Sequence, residues 1–185
     1  MIYPIVAYGD SVLRKKARNI EKDELNLDQL SKDMFETMYA ARGVGLACPQ
    51  IGMDLRMFVV DGEPMDEEMK DFKMTFVNPQ LFDSNGEPWL FEEGCLSIPG
   101  IREDVLRESI IRIRYYDVNW KEHQEELSGL RARIVQHEYD HIEGILFTDH
   151  LSSFKKRILK GKLASITKGK IEVDYKMRFP VKSRN

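Results

Sequence analysis

The sequence has 185 residues, 42% of them hydrophobic and 32% charged, and a formal net charge of −3. This length allows one buried core but is short for two full domains, and the slight negative charge gives no reason to expect sequence-specific nucleic-acid binding. Two cysteines, no membrane-length apolar stretch and no signal-peptide pattern at the N-terminus predict a cytoplasmic protein without a disulfide framework or membrane contact.

Apolar residues recur at helical spacing in the segment 26–43, which predicts the first helix, with Gly43 as its C-cap. Short apolar segments bounded by turn residues then predict strands at 55–61, 76–82, 88–92 and 109–118. The last strand is the clearest, because Ile111, Ile113 and Tyr115 alternate with arginines.

A second helix is predicted between Ser128 as N-cap and Gly144 as its stop, and a basic extension covers 151–185. Strands and helices do not alternate along the chain, so an α+β fold is favoured over a doubly wound parallel sheet. We therefore expect a single domain over residues 1–185. Antiparallel strands in small sheets should pack around the internal helix, beside an N-terminal helix and a basic C-terminal helix.

The internal helix contains the sequence QHEYDH at 136–141. Four of its residues fall on one inward-facing stripe: Leu130, Ile134, His137 and His141. The two imidazoles therefore lie one turn apart, and Glu138 can reach a water on a metal that both of them bind. This H-E-x-x-H spacing is typical of a divalent-metal site with its own general base. The alternative is an ordinary amphipathic helix with two core histidines.

A third metal ligand would decide the class of site. A metzincin requires histidine where Phe147 stands, and a gluzincin-type carboxylate would have to be Glu172 in the basic extension. The segment EEGCLSIPG offers Cys95 instead, next to Gly94, which permits close backbone approach. One thiolate and two imidazoles leave a coordination position for water, as in catalytic sites. The alternative is that Cys95 only packs in the core.

The segment GVGLACPQIG at 43–52 follows the first helix. Its Gln50 places a neutral amide among apolar residues, where it could donate a hydrogen bond to a developing oxyanion. Two alternatives are a phosphate-binding glycine loop and a buried glutamine that satisfies a turn.

The segments GVGLACPQ, EGCLS and QHEYDH, in this order, resemble the three signature motifs of the peptide deformylase family. The resemblance runs from about residue 3 to about residue 155. Two positions depart from the family pattern: Cys48 stands where alanine is usual, and Arg133 is more polar than expected beside the pocket.

The resemblance implies an enzyme that removes the formyl group from N-terminal formyl-methionine of new polypeptides and releases formate. It implies one divalent metal, generally iron(II), although zinc, nickel or cobalt also suit the three ligands Cys95, His137 and His141. Glu138 would be the general base and then the proton donor to the leaving amine. Gln50 and the backbone N–H of Leu96 would bind the oxyanion.

The resemblance also implies a substrate site. Strand-like pairing with the peptide is expected from the backbone of Val44, Gly45, Glu93 and Gly94. The methionine pocket is expected to be formed by Val44, Phe91, Leu130 and Ile134, with Arg133 at its rim.

The basic extension has seven Lys or Arg and no acidic residue between positions 151 and 170. The resemblance suggests that this stretch docks near the ribosomal exit, since basic patches favour RNA phosphates, and the alternative is a solvated helix face. Two other classes of function stay open from the sequence alone: a metallopeptidase that cuts internal bonds, and a non-enzymatic metal-binding or ribosome-associated module.

Overall fold

The structure is a computed structural model that describes residues 1–180, and it confirms the α+β fold. The helices are α1 (Leu27–Ala40), α2 (Gly129–Ile142) and α3 (Ser153–Thr167). The strands are β1 (Ile5–Val6), β2 (Gly45–Ala47), β3 (Met57–Asp61), β4 (Lys73–Asn85), β5 (Trp89–Cys95), β6 (Ile98–Arg107), β7 (Ile110–Tyr116), β8 (Glu122–Ser128) and β9 (Met177–Arg178). No helix within residues 1–180 is both long and apolar enough to cross a membrane.

The strands form three sheets. The largest has five strands in the order β2-β3-β4-β7-β8, and all its neighbours are antiparallel. Strands β5 and β6 form an antiparallel pair, whereas β1 and β9 pair in parallel and so bring residues 5–6 beside residues 177–178.

Helix α2 packs on the five-stranded sheet through its apolar residues. Val135 is fully buried in a cluster with Phe58 of β3 and Phe76 of β4, whose ring centroids lie 4.7 Å apart. Ser128 is the N-cap, as predicted, and Gly144 follows the helix with a positive φ of 75°. This packing fixes the position of the helix on which the two histidines lie.

The predicted C-cap of α1 was wrong. Ala41 caps the helix, and Arg42 takes the left-handed conformation with φ 56°. Gly43 instead leaves room for Leu96, because a Cβ there would lie 2.7 Å from the end of the Leu96 side chain, which would have to move. The glycine therefore lets the segment before β2 approach the turn that follows β5.

Candidate active site

The three predicted metal ligands come together from two elements. Cys95 ends β5, where the pairing with β6 shifts register after Gly94, and His137 and His141 lie one turn apart on α2. Their ligand atoms all lie within 4.8 Å of one another, and Cys95 Sγ is 3.3 Å from His141 Nε2. A thiolate and two imidazoles at this spacing fit one divalent ion with a free coordination position.

The side chain of Glu93 orients His137. Glu93 Oε2 lies 2.9 Å from His137 Nδ1, which leaves Nε2 of the ring for the metal site. Arg107 and Arg133 also donate to this buried carboxylate. Burial favours a raised pKa for Glu93, but the hydrogen bonds from His137 and Arg107 outweigh it and hold the pKa well below its usual range. The sequence analysis considered only the Glu93 backbone and missed this role.

Glu138 is buried against β2. Its Oε2 atom has no hydrogen-bond partner among residues 1–180, and a Cβ on Gly45 would collide with its Oε1 atom. Burial raises the pKa of Glu138 to about 7, against the opposing effect of His137 and His141. A carboxylate with a pKa near neutrality is suited to take up a proton and return it.

The side-chain amide of Gln50 points its nitrogen at the metal ligands. Its Oε1 accepts a hydrogen bond of 2.9 Å from the Ala47 N–H, so Nε2 faces Cys95 Sγ at 3.5 Å and Ser97 Oγ at 3.4 Å. The segment 43–52 forms β2 and a short 3₁₀ helix at Cys48–Ile51 rather than a phosphate loop. Gln50 therefore satisfies a local turn and also presents a donor to the site.

A cavity of about 1120 Å³ opens beside these residues. It is lined by most of the predicted site residues: Val44, Gly45, Gln50, Phe91, Glu93, Gly94, Cys95, Leu96, Arg133, Ile134, His137 and Glu138. His141 is 1% exposed and is not part of the lining. Leu130 does not line the cavity either, and packs against the core cluster that contains Ile134.

Arg133 is 2% exposed, and its charge is compensated inside the protein. It donates to Glu93, to the Val105 carbonyl and to the Trp89 carbonyl. Its guanidinium lies 4.6 Å from the centroid of the Trp89 ring and 5.8 Å from that of Phe91. The ion pair with Glu93 compensates the buried charge of Arg133, and the two cation–π contacts place its guanidinium against Phe91, which lines the cavity.

Several lining residues were not predicted. Among them are Arg42, Met65, Ile98, Ile101, Arg102 and the stretch from Glu172 to Tyr175. The C-terminal stretch comes from the region expected to be only a basic extension. A sequence signal was available in part, because Glu172 and Asp174 interrupt the basic composition there.

Comparisons with known proteins identify the family. The family model described as polypeptide deformylase matches residues 2–157. The chain is 58% identical to a peptide deformylase of Cytophaga hutchinsonii, over 98% of this chain and 100% of that protein. A peptide deformylase of Christiangramia forsetii is 57% identical, over 97% of each chain.

Solved structures agree with the sequence matches. The crystal structure of peptide deformylase from Thermus thermophilus gives a TM-score of 0.82 at 39% identity, over 91% of this chain and 99% of that chain. One from Legionella pneumophila gives a TM-score of 0.80 at 39% identity, over 92% of this chain and 98% of that chain. The chain belongs to the peptide deformylase family.

Proposed function

We propose that this site hydrolyses the formyl group from N-terminal formyl-methionine and releases formate. One observation carries the proposal: a buried carboxylate, Glu138, stands beside three ligand atoms that lie within 4.8 Å of one another, in a chain of the deformylase family. The reaction needs one ion, one proton carrier and a donor for the formyl oxygen. The cavity offers residues for each.

Cys95, His137 and His141 would hold a single divalent ion. When bound, such an ion lowers the pKa of a coordinated water and polarises a carbonyl group. This donor set suits iron(II), zinc, nickel or cobalt, and we propose iron(II) as the native metal from the family resemblance. Anaerobic purification with metal analysis tests this, combined with formate-release assays after reloading each metal. Full activity with zinc alone and no iron in the purified protein would contradict the iron assignment.

Glu138 is proposed to take a proton from the attacking water and to pass it to the leaving amine. Its burial beside the three ligand atoms and its Oε2 atom, which has no hydrogen-bond partner among residues 1–180, support both steps. General-base catalysis is typically worth about 10²–10⁴-fold. Glu138→Gln should keep the metal and lose most turnover, whereas His141→Ala should lose the metal. Metal loss from the Glu138 variant would contradict the assignment.

Gln50 and the backbone N–H of Leu96 are proposed to bind the formyl oxygen as it becomes negative. The fixed amide nitrogen of Gln50 supports this role, as does the position of Leu96 directly after Cys95 in the cavity wall. Gln50→Ala should lower turnover by roughly 10²–10³-fold, as expected for loss of one oxyanion donor. Normal turnover with reduced stability would instead assign Gln50 to the turn alone.

The peptide is proposed to bind in extended form between β2 and β5. Gly45 of β2 and Val44 directly before it line one side of the cavity, and Glu93 and Gly94 of β5 line the other. The bound peptide would then add a strand through main-chain hydrogen bonds.

The methionine side chain is proposed to lie against Val44, Phe91 and Ile134. Arg133 would line the cavity beside Phe91, and Leu130 would support the core cluster that contains Ile134. Rates on formyl-Met, formyl-Asp and acetyl-Met peptides test this pocket, and formyl-Met should be clearly fastest. Equal rates on formyl-Met and formyl-Asp would remove the pocket assignment, and cleavage of internal bonds would contradict deformylation.

Helix α3 is proposed to help dock the protein on the ribosome in the cytoplasm. Within the described residues Cys48 and Cys95 are free, in keeping with a reducing compartment. Lys155 pairs with Glu103, so the more exposed cations Arg157, Lys160 and Lys162 are the better candidates for RNA contact. Neutralising those three should weaken ribosome binding and reduce its salt dependence. Unchanged salt-dependent binding would remove this proposal.

A further inference from the structure

The chain beyond the region matched by the family model returns to the cavity. After α3 the backbone turns at Gly169, with φ 66°, where a Cβ would lie 3.3 Å from the Phe179 ring. The following residues form a segment that we call the C-terminal strap, 171–179. Its residues Glu172 to Tyr175 line the cavity.

The strap is anchored beyond the cavity by β9. The Ile5 N–H donates to the Lys176 carbonyl at 2.8 Å, and the Ala7 N–H donates to the Arg178 carbonyl at 2.9 Å. The lining part of the strap is therefore held between the end of α3 and the parallel β1–β9 pair. Such a restrained segment can keep a side chain in one place relative to the site.

Two contacts join the strap to the cavity wall. The Tyr175 hydroxyl donates a hydrogen bond of 2.7 Å to the Leu96 carbonyl. Asp174 forms an exposed ion pair with Arg42, which lies just before β2. The first contact falls on the residue whose N–H is proposed to bind the formyl oxygen.

The turn formed by Leu96 and Ser97 is held from both ends of the chain. Tyr175 near the C-terminus donates to the Leu96 carbonyl, and the Tyr8 N–H near the N-terminus donates to the Ser97 carbonyl at 2.8 Å. Gln50 also reaches the Ser97 hydroxyl. The terminal segments therefore restrain the backbone between Cys95 and β6.

We propose that Tyr175 is a positioning residue for deformylation. Its hydroxyl holds the Leu96 backbone so that the Leu96 N–H stays aimed at the formyl oxygen, and this rests on the role proposed for Leu96 above. Without the hydroxyl, the Leu96 carbonyl would accept a hydrogen bond from water instead, and the backbone of the Leu96–Ser97 turn would be less restrained. A misplacement of about 1 Å can cost on the order of 10²-fold in rate. Loss of one restraint should cost less, roughly 3- to 30-fold in kcat.

Tyr175→Phe in the metal-loaded full chain tests the proposal, with a formyl-Met-Ala-Ser peptide as substrate. We expect lower kcat per bound metal, KM within about twofold of wild type, and unchanged metal content, because only a transition-state contact is disturbed. Tyr116→Phe is the matched control, since it removes a hydroxyl that bonds to Glu122 at 3.0 Å and does not line the cavity. Unchanged kcat overturns the proposal, and so does a rise in KM alone.

A second variant keeps the test decisive if Tyr175→Phe folds poorly. Asp174→Asn removes the exposed ion pair with Arg42 and should lower kcat by a smaller factor, because it loosens the strap on which Tyr175 is mounted. The double variant should lose no more than Tyr175→Phe alone, since coupled sites are not additive. If the two substitutions lower kcat by fully additive amounts, the proposal is overturned. If Tyr175→Phe cannot be measured, an unchanged kcat in Asp174→Asn overturns it.

Gln50→Ala is measured in parallel to separate the binding of the formyl oxygen from the positioning role of Tyr175. Normal turnover in Gln50→Ala would remove only Gln50 as a donor to the formyl oxygen, whereas no formate release by the metal-loaded wild-type chain would remove the proposed function on which the strap proposal rests. Slow turnover in Gln50→Ala together with wild-type kcat in Tyr175→Phe would remove only the positioning role.

Discussion

Glu93 Oε2 lies 2.9 Å from Nδ1 of His137, so a strand carboxylate orients a ligand on the central helix. The same carboxylate accepts hydrogen bonds from Arg107 and Arg133. Arg107 also donates a hydrogen bond of 2.8 Å to Asp140 Oδ2. The metal-binding helix is thereby tied to β5 and β6 through buried charges. Each of these charges has a partner, as burial requires.

Glu93→Gln should weaken metal binding and the fold together. Metal affinity should fall roughly 10- to 100-fold, because the support for His137 loses its charge. The free energy of unfolding should fall by about 3 kcal/mol, since Arg133 and Arg107 lose a buried partner. Metal titration and urea unfolding measure both. Glu92→Gln is the control, because Glu92 pairs with Arg102 on the surface. Wild-type metal affinity in the Glu93 variant would contradict the orienting role.

Gly45→Ala should damage catalysis without removing the metal. A Cβ at this position would collide with the Glu138 carboxylate, which must then move. Displacing a catalytic group by about 1 Å can cost on the order of 10²-fold in rate. Metal content and kcat measure the effect, and Gly161→Ala is the control because no atom lies within 4 Å of its added Cβ. A Gly45 variant with normal kcat would show that Glu138 tolerates another position.

The metal ligands could be predicted because their signals are local. His137 and His141 stand one turn apart on a helix with clear start and stop residues, and Cys95 follows a glycine at the end of a strand. The Glu93 network could not be found this way. Glu93 lies 44 residues before His137, and only the packing of β5 on α2 brings the two together.

The sequence predictions and the structure also differ at β6, Tyr175 and Leu130. Strand β6 was not predicted as a strand because Pro99 and Gly100 lie near its start and its apolar residues do not alternate regularly, so the burial of Ile98, Ile101 and Val105 becomes visible only in the structure. Tyr175 lies at the cavity in a strap that the β1–β9 pair anchors, and this pairing joins residues 5–6 to residues 177–178, which are far apart in the sequence. Helical spacing placed Leu130 on the same stripe as Ile134, but the cavity begins one turn later.

The turn between β7 and β8 should make a small, pH-dependent contribution to stability. Asp117 accepts hydrogen bonds from the Asn119 and Lys121 N–H groups and lies 2.9 Å from His123 Nε2. Burial favours a raised pKa for Asp117, but the hydrogen bond from His123 and the backbone bonds outweigh it and lower the pKa.

A lowered pKa in the folded state means that this stabilisation is present above the unfolded value of about 3.9 and is lost as the pH falls through the folded value. Asp117→Asn should therefore cost at most about 1 kcal/mol at pH 6.5, because solvent screens the site. The difference from wild type should shrink at pH 3. Urea unfolding at the two pH values measures it, and an equal difference at both would contradict the linkage.

Two neighbouring aliphatic residues on α2 should behave differently on truncation. Ile134 lines the cavity and is 4% exposed, so Ile134→Ala should raise KM for formyl-Met peptides and also destabilise the fold by about 2–4 kcal/mol. Leu130 lies off the cavity, so Leu130→Ala should lower stability and leave KM close to wild type. Steady-state kinetics and urea unfolding separate the two effects. A higher KM from Leu130→Ala alone would restore it to the methionine pocket.

Removal of the metal should expose one thiol and leave the other protected. Burial favours a raised pKa for Cys95, but His141 and His137 outweigh it and lower the pKa to about 5, so the metal-free site holds a reactive thiolate. Cys48 is fully buried beside Met34, and burial raises the pKa of its thiol.

After chelation of the metal, iodoacetamide at pH 7 should label Cys95 at least roughly 10²-fold faster than Cys48, because Cys48 can react only when the structure opens locally. Reloading the metal should protect Cys95, and Cys95→Ser should show almost no labelling under native conditions. Rapid labelling of Cys48, or equal labelling of Cys95 with and without metal, would contradict the assignment of one ligand cysteine and one packing cysteine.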